Sequence, residues 1–325
     1  MATNAWMDVQ IVQKRLEADD IVSLLLRAVD GARLPLFEAG AHIDLEIAPD
    51  LIRQYSLCNR PDDDRTYEIA VLREPASRGG SAAIHDRLQV GQTVRISAPR
   101  NHFPLDHAAT HSLLFAGGIG ITPILCMAER LHGAGASYEM HYCARSAAKM
   151  AYRDAIAASP IAARSVLHLD DGPAGQQIDL ARILADPAAG AHVYVCGPAG
   201  FINAVLECAR AQGWAEEQLH REFFAAPTDR PAPEGADESF TVTLASTGLS
   251  VEIPAGRTIV DILGEQGVFI PTSCSEGICG TCVVHVLEGV PDHRDYLFSD
   301  EEHARGDRLT TCCSRSKTPR LVLDL

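Results

Sequence analysis

Five cysteines crowd the last sixth of this 325-residue chain, and their spacing is its strongest chemical signal. Cys274-x4-Cys279-x2-Cys282 lies on one short loop, and Cys312 follows after 29 intervening residues. Three thiolates on a tight loop, closed by a fourth from a distant segment, is the ligand spacing of a plant-type [2Fe–2S] cluster. Gly277 and Gly280 allow positive φ and leave backbone N–H groups available to the cluster sulfurs, which tunes the potential. Structural zinc is the alternative, but zinc favours paired C-x2-C knuckles, and this loop has one such pair. Cys313 adjoins Cys312 and is a second candidate for the closing ligand. Neighbours on a strand point to opposite sides, so only one of the two should reach the cluster, and spacing favours Cys312. Cys58, Cys126, Cys143 and Cys208 stand alone and read as small buried hydrophobes.

A second constellation lies far upstream. Arg53-Gln54-Tyr55-Ser56-Leu57 offers a cation, an aromatic face and a small hydroxyl suited to a flavin ring. Ser77-Arg78-Gly79-Gly80-Ser81 opens a helical stretch, and glycines, hydroxyls and a helix start make an anion site. Arg78 adds a planar fork for phosphate, and with Arg53 a second cation converges, which suits a terminal phosphate monoester. A surface turn with two ordinary arginines would explain either motif by itself and explains the pair poorly. The third signal is Gly117-Gly118-Ile119-Gly120-Ile121-Thr122-Pro123 after a buried strand, paired with Cys196-Gly197-Pro198 after another. Such turns let a pyrophosphate approach the backbone at a helix start, although G-x-G-x-x-G is not matched.

These residues need scaffolds of three textures. Residues 1–104 show short alternating runs, such as Asp8–Val12, His42–Ile47, Tyr67–Val71 and Thr93–Ile96, which predict an antiparallel barrel. Residues 105–226 alternate apolar runs (Ser112–Ala116, Tyr138–Cys143, Ser165–Leu169, His192–Cys196) with helical stretches, which predicts an α/β domain on a parallel sheet. Residues 227–237, with three prolines, read as a stiff linker to a domain at 238–325. That domain opens with a hairpin and a helix over Thr258–Gln266.

Composition narrows the function. Hydrophobic residues make up 46% and charged residues 22%, a globular balance. The net charge of -15 argues against general nucleic-acid binding. No apolar run has the length of a membrane span, and the opening MATNAWMDVQIVQKRL does not have the form of a secretory leader. Clustered cysteines then fit a reduced, cytoplasmic setting. From Asp237 onward the chain carries 14 acidic and 7 basic residues, and Asp292, Asp295, Asp300, Glu301 and Glu302 fall between the third and fourth cysteines. Such a rim steers a basic partner, or simply solvates the face.

Taken in order over essentially the whole chain, these motifs resemble the phthalate dioxygenase reductase family, which includes vanillate demethylase reductases. The resemblance implies three domains: an FMN-binding β-barrel, an NADH-binding α/β domain of ferredoxin-reductase type and a C-terminal α+β β-grasp ferredoxin. Residue by residue, Arg53, Tyr55 and Ser56 match the flavin motif, and Arg78, Gly80 and Ser81 match the FMN-phosphate stretch. Gly117, Gly118, Gly120, Thr122, Arg145, Ser146, Cys196, Gly197 and Pro198 match nucleotide-domain motifs. His220-Arg221-Glu222-Phe223-Phe224 matches the segment that sets an aromatic ring against the flavin, Phe224 by register, with Phe223 assigned to packing. Ser56 is the candidate hydrogen bond near flavin N5, and Cys196 the candidate lining of the nicotinamide pocket. A flavin accepts two electrons together and releases them singly, so the implied activity runs NADH to FMN to [2Fe–2S] to the oxygenase component of a Rieske-type aromatic dioxygenase or O-demethylase. The family also implies a monomer. Arg145 and Lys149 leave NADPH open on the residues alone, and the resemblance favours NADH. A self-sufficient flavoenzyme reducing oxygen or soluble acceptors, an FAD-type reductase and a non-enzymatic carrier are the competing readings.

Overall fold

The computed structural model describes residues 6–49, 51–75, 77, 79–225 and 237–325. The chain divides into two compact units, Met1–Phe224 and Ala225–Leu325. The expected linker falls almost wholly on residues 226–236, outside the described residues.

The first unit opens with β1 (Trp6–Ala18), β2 (Ile21–Ala28), β3 (Ala41–Ala48), β4 (Leu51–Ser56), β5 (Tyr67–Leu72), α1 (Gly80–Asp86), β6 (Thr93–Ser97) and β7 (Arg100–Asn101). The strands form one antiparallel sheet in the order β4-β3-β6-β1-β2-β5, with β7 on β3. Alternation sends Val9, Ile11, Ile43, Leu45, Ile69 and Ile96 into the core. A Leu57–Ile69 bridge joins the two sheet ends. The Cys58 N–H donates to the Glu68 carbonyl at 2.9 Å beside it, so the sheet closes into a barrel.

The chain continues through β8 (His111–Gly117), α2 (Ile121–Gly133), β9 (Tyr138–Ala144), α3 (Arg153–Ala158), β10 (Ser165–Leu169), α4 (Leu180–Ile183), β11 (Ala191–Cys196), α5 (Ala199–Ala211) and β12 (Leu219–Glu222). All pairs in this second sheet are parallel, in the order β10-β9-β8-β11-β12. Leu114, Phe115, Val193 and Val195 are fully buried, as a sheet covered on both faces requires. The strand order reverses between β8 and β11, and α/β sheets bind ligands outside the carboxyl ends of strands at such a point.

The second unit holds β13 (Phe240–Leu244), β14 (Ser250–Ile253), α6 (Ile259–Glu265), β15 (Val283–Glu288), β16 (Pro291–Asp292), α7 (Asp300–Arg305), β17 (Arg308–Thr310), β18 (Arg315–Ser316) and β19 (Arg320–Leu323). Its main sheet runs β14-β13-β19-β15-β17. β13 and β19 are parallel and the other neighbours antiparallel, the arrangement of a β-grasp. Thr258 caps α6 by accepting from Asp261 N–H, and Ile259, Ile262 and Leu263 turn inward at helical spacing. The ligand loop lies between α6 and β15 and Cys312 follows β17; Val283 pairs with Thr310 in the antiparallel β15–β17 ladder, so both lie at the same end of it.

Candidate functional site

The cysteine loop is built by backbone turns. Ser275, Gly277 and Gly280 all take positive φ, the serine being one that its residue type did not announce. Cys279, Cys282 and Cys312 are buried and Cys274 is partly exposed. Their thiols bond one another: Cys274 to Cys279 and Cys312, and Cys312 to Cys282. Hydrogen bonds from Cys279 and Cys312 hold the Cys274 thiol far below its ordinary range and push their own thiols up. The Glu276 N–H also donates to Cys274 Sγ at 3.3 Å. Four sulfurs linked in one run of contacts, Cys279 to Cys274 to Cys312 to Cys282, fit a four-thiolate cluster. Cys312 and Cys313 lie not on a strand but on the turn after β17, so strand alternation does not separate them.

Behind the loop stand His293, Asp295 and His303. Asp295 Oδ2 accepts from Leu297 N–H, Phe298 N–H and His303 Nε2 at 3.0–3.2 Å. The Tyr296 N–H reaches the Gly277 carbonyl at 3.0 Å. The two imidazoles stack 4.3 Å apart, and each turns a ring nitrogen to the Asp295 carboxylate, His303 at 3.2 Å and His293 at 3.4 Å; the trio braces the loop. Three of the five acidic residues expected on the rim are engaged within the unit. Asp295 is buried, Asp292 pairs with Arg294 at 2.8 Å, and Glu302 pairs with Arg308 at 2.8 Å. Asp300 and Glu301 are exposed.

In the first unit, Arg53, Tyr55 and Ser56 sit on β4, and Ser56 is the buried one. Burial pushes the Tyr55 phenol up, with the Arg53 charge opposing. Gly80, at the start of α1, presses on the stem of Arg53: a Cβ there would stand 2.7 Å from Arg53 Cγ. The two motifs thus meet, as convergence on one anion requires. Arg78 lies outside the described residues. The Ser81 hydroxyl donates to Ser77 Oγ at 3.0 Å and accepts from Glu74 N–H at 3.1 Å.

Ser56 Oγ donates across to Glu222 Oε2 at 3.3 Å, at the end of β12. Glu222 pairs in register with Cys196 at the end of β11. Burial raises the Glu222 carboxyl to about 8, with the Ser56 bond pulling the other way. Burial, and then the Glu222 charge, push the Cys196 thiol well up. The two residues singled out for the redox centre, Ser56 and Cys196, are therefore joined through a carboxyl that sequence reasoning did not single out. The signal was a lone acid at the end of the domain's last strand. Phe223 packs on the core of the parallel-sheet region, whereas Phe224 is 40% exposed.

The two glycine turns meet at the strand-order reversal. A Cβ on Gly120 would lie 2.2 Å from the Cys196 carbonyl oxygen, and one on Gly197 3.0 Å from Gly117 Cα. A Cβ on Gly117 would strike the Phe201 ring at 2.8 Å. Of Gly117, Gly118, Gly120 and Gly197, Gly118, at φ 54°, is the one with open space where its Cβ would stand. Thr122 is buried and donates to the Ile119 carbonyl at 3.1 Å, tightening the turn. Pro198 precedes α5. Arg145 and Ser146 follow β9; the Arg145 carbonyl accepts from Asp171 N–H and the Ala144 carbonyl from Asp170 N–H, each at 3.1 Å. Lys149 pairs with Asp20 of the β1–β2 turn at 2.5 Å.

A barrel abutting a switch-point sheet, in a chain that also carries a four-thiol β-grasp, defines an iron–sulfur flavoprotein oxidoreductase. Residues 242–317 match the 2Fe-2S iron-sulfur cluster binding domain family, and residues 94–219 match the N-terminal domain of dimethylamine monooxygenase subunit DmmA-like proteins. The chain is 51% identical over 320 residues to the vanillate O-demethylase oxidoreductase of Pseudomonas putida, covering 98% of this chain and 100% of that one. It is 45% identical over 305 residues to the reductase subunit of the tert-butanol monooxygenase / tert-amyl alcohol desaturase of Aquincola tertiaricarbonis, covering 91% and 89%. The solved structure of phthalate dioxygenase reductase superposes with a TM-score of 0.72 at 36% identity, covering 99% of this chain and 98% of that one. The chain belongs to the phthalate dioxygenase reductase family. Among the described residues, no helix is long and apolar enough to cross a membrane.

Proposed function

We propose that this chain carries electrons from NADH through FMN and a [2Fe–2S] cluster to the oxygenase component of a Rieske-type aromatic dioxygenase or O-demethylase. Residues 1–104 hold the flavin, 105–226 the nucleotide and 238–325 the cluster, in a cytoplasmic protein acting as a monomer. The observation that carries the reading is the Ser56–Glu222–Cys196 contact, because it sets the flavin strand of the barrel against the carboxyl ends of β11 and β12.

Bound FMN supplies the conversion of a two-electron hydride into single electrons that a [2Fe–2S] cluster can accept. The chain's own residues place and seal that exchange. Arg53 and Arg78 hold the flavin phosphate, Gly80 letting the helix start come down on Arg53. Tyr55 and Phe224 would flank the ring, and Ser56 would stand at its reactive edge with its one hydroxyl hydrogen directed to Glu222. Gly118 presents the open backbone face to the pyrophosphate, while Gly117, Gly120 and Gly197 let the two turns close on each other. Arg145 and Ser146 receive the remote half of the nucleotide beside Asp170 and Asp171. That acidic pair, and the engagement of Lys149 by Asp20, favour NADH over its 2′-phosphorylated form. Cys274, Cys279, Cys282 and Cys312 hold the two irons. Asp300 and Glu301 remain as the exposed acids that steer a basic partner.

The test is reduction of a purified oxygenase component from the same genome by NADH. Reduction that requires this chain, and slows more with salt than reduction of a neutral dye, supports the reading. NADH oxidation by oxygen that is unaffected by added oxygenase supports the self-sufficient alternative. Acid-released flavin run on a column separates FMN from FAD.

A further inference from the structure

Cys313 stands among the cluster ligands without a role. It is placed by the turn Thr311–Cys313: Thr311 is tied to the Cys282 carbonyl through its N–H at 3.2 Å and its hydroxyl at 3.0 Å and accepts from Val260 N–H at 3.2 Å, whereas Cys313 and Ser314 N–H reach back only to the Thr310 carbonyl, at 3.4 and 3.0 Å. Cys312 and Cys313 themselves lie beyond the β15–β17 ladder, whose last pair is Val283 with Thr310. The Cys313 side chain does not point away from the ligand loop. Cys313 Sγ lies 2.5 Å from where a Cβ on Gly277 would be, and Gly277 sits between Cys274 and Cys279. Thr310 Oγ1 is 3.1 Å from the same sulfur. The Cys312 thiol bonds to Cys313 as well as to Cys274 and Cys282. A bulkier residue at position 277 would fill the space that the Cys313 sulfur takes up.

We propose that Cys313 is a reserve iron ligand, so that the closing position of the cluster is served by an adjacent pair of thiols. In the exchange, the Cys313 thiol loses its proton and its sulfur bonds the iron that Cys312 releases. The Cys312 sulfur takes up a proton, and no electron moves. Because the pair lies on a turn, the swap rotates local backbone without breaking a strand ladder. A strand would have set the second sulfur on the opposite face.

The experiment uses the full-length protein with Cys312→Ala, Cys313→Ala and both together, each reconstituted anaerobically with iron and sulfide. Iron per chain, the electron paramagnetic resonance spectrum after dithionite reduction, and flavin content are measured. Cys313→Ala keeps the full complement and the wild-type spectrum. Cys312→Ala keeps at least about half the iron with altered g-values, and the double variant falls below about a tenth. A Cys312→Ala protein that retains its flavin and native circular dichroism but is as empty as the double variant overturns the proposal. If Cys312→Ala does not fold, Cys312→Ser replaces it. Adding Cys313→Ala to Cys312→Ser must then change the Fe–S stretching pattern in resonance Raman, and identical patterns overturn the proposal.

Discussion

The two compact units build their redox sites by opposite means. In the second, the chemistry is carried by side chains, three of them within nine residues, and the fold needs only to close a loop with one turn. In the first, most of the site is backbone. It is assembled from β4, the start of α1, two glycine turns and the end of β12, segments spread over some 170 residues. The ligand set of the second site is therefore written locally, whereas the first exists only once a barrel has closed and a parallel sheet has reversed its strand order. Loss of a thiol on the ligand loop (Cys274, Cys279 or Cys282) should be absolute and confined. Loss of a contact in the first site should be graded, and should spread through the packing that the contact shares.

The largest expected effect tests the confinement. Cys279→Ser should abolish the visible absorbance of the cluster and leave flavin reduction by NADH intact; loss of flavin reduction as well would show that the two sites are not separable. Arg78→Ala should weaken FMN retention by roughly 1.5–3 kcal/mol, the worth of a hydrogen bond to a charged group. Equilibrium dialysis measures this, and unchanged retention removes Arg78 from the phosphate site.

Gly120→Ala comes next, because it strikes a contact between turns. A Cβ 2.2 Å from the Cys196 carbonyl forces backbone to move, at a cost of about 1–3 kcal/mol in stability. NADH affinity should fall with the melting temperature. A stable variant with normal NADH binding would show that the two turns can part freely.

That contact also marks where the sequence stops being readable. The glycine-rich run after β8 announces a turn at a strand end, and the structure has one there. Residue type says only that a glycine tolerates close approach, not what approaches it. Gly117 and Gly120 turn out to face Phe201 and the other turn, while Gly118 keeps the open side. Glu222 was illegible for a related reason. A single acid at a strand end gains meaning only when β4, β11 and β12 bring Ser56 and Cys196 to it. The cluster loop was legible because its spacing alone sets its geometry. Its one misreading, that alternation parts Cys312 from Cys313, came from assuming a strand where the chain turns.

Glu222 gives the finest of these tests. Its carboxyl titrates at about 8 in the fold against an ordinary 4.5, because burial disfavours the charged form. The folded protein then holds this proton more tightly than the unfolded chain does. The burial penalty is absent below about 4.5, grows as pH rises through the interval, and is complete above about 8. Glu222→Gln carries no such penalty, so its melting temperature should gain on that of the wild type between pH 5 and pH 8. The Ser56 hydroxyl donates to the carboxylate and lowers its pKa, so Ser56→Ala should move the same interval to higher pH. Parallel melting curves for wild type and Glu222→Gln at every pH would mean that the carboxyl is solvated, and that the barrel and the parallel sheet do not meet as tightly as the Ser56–Glu222 contact implies.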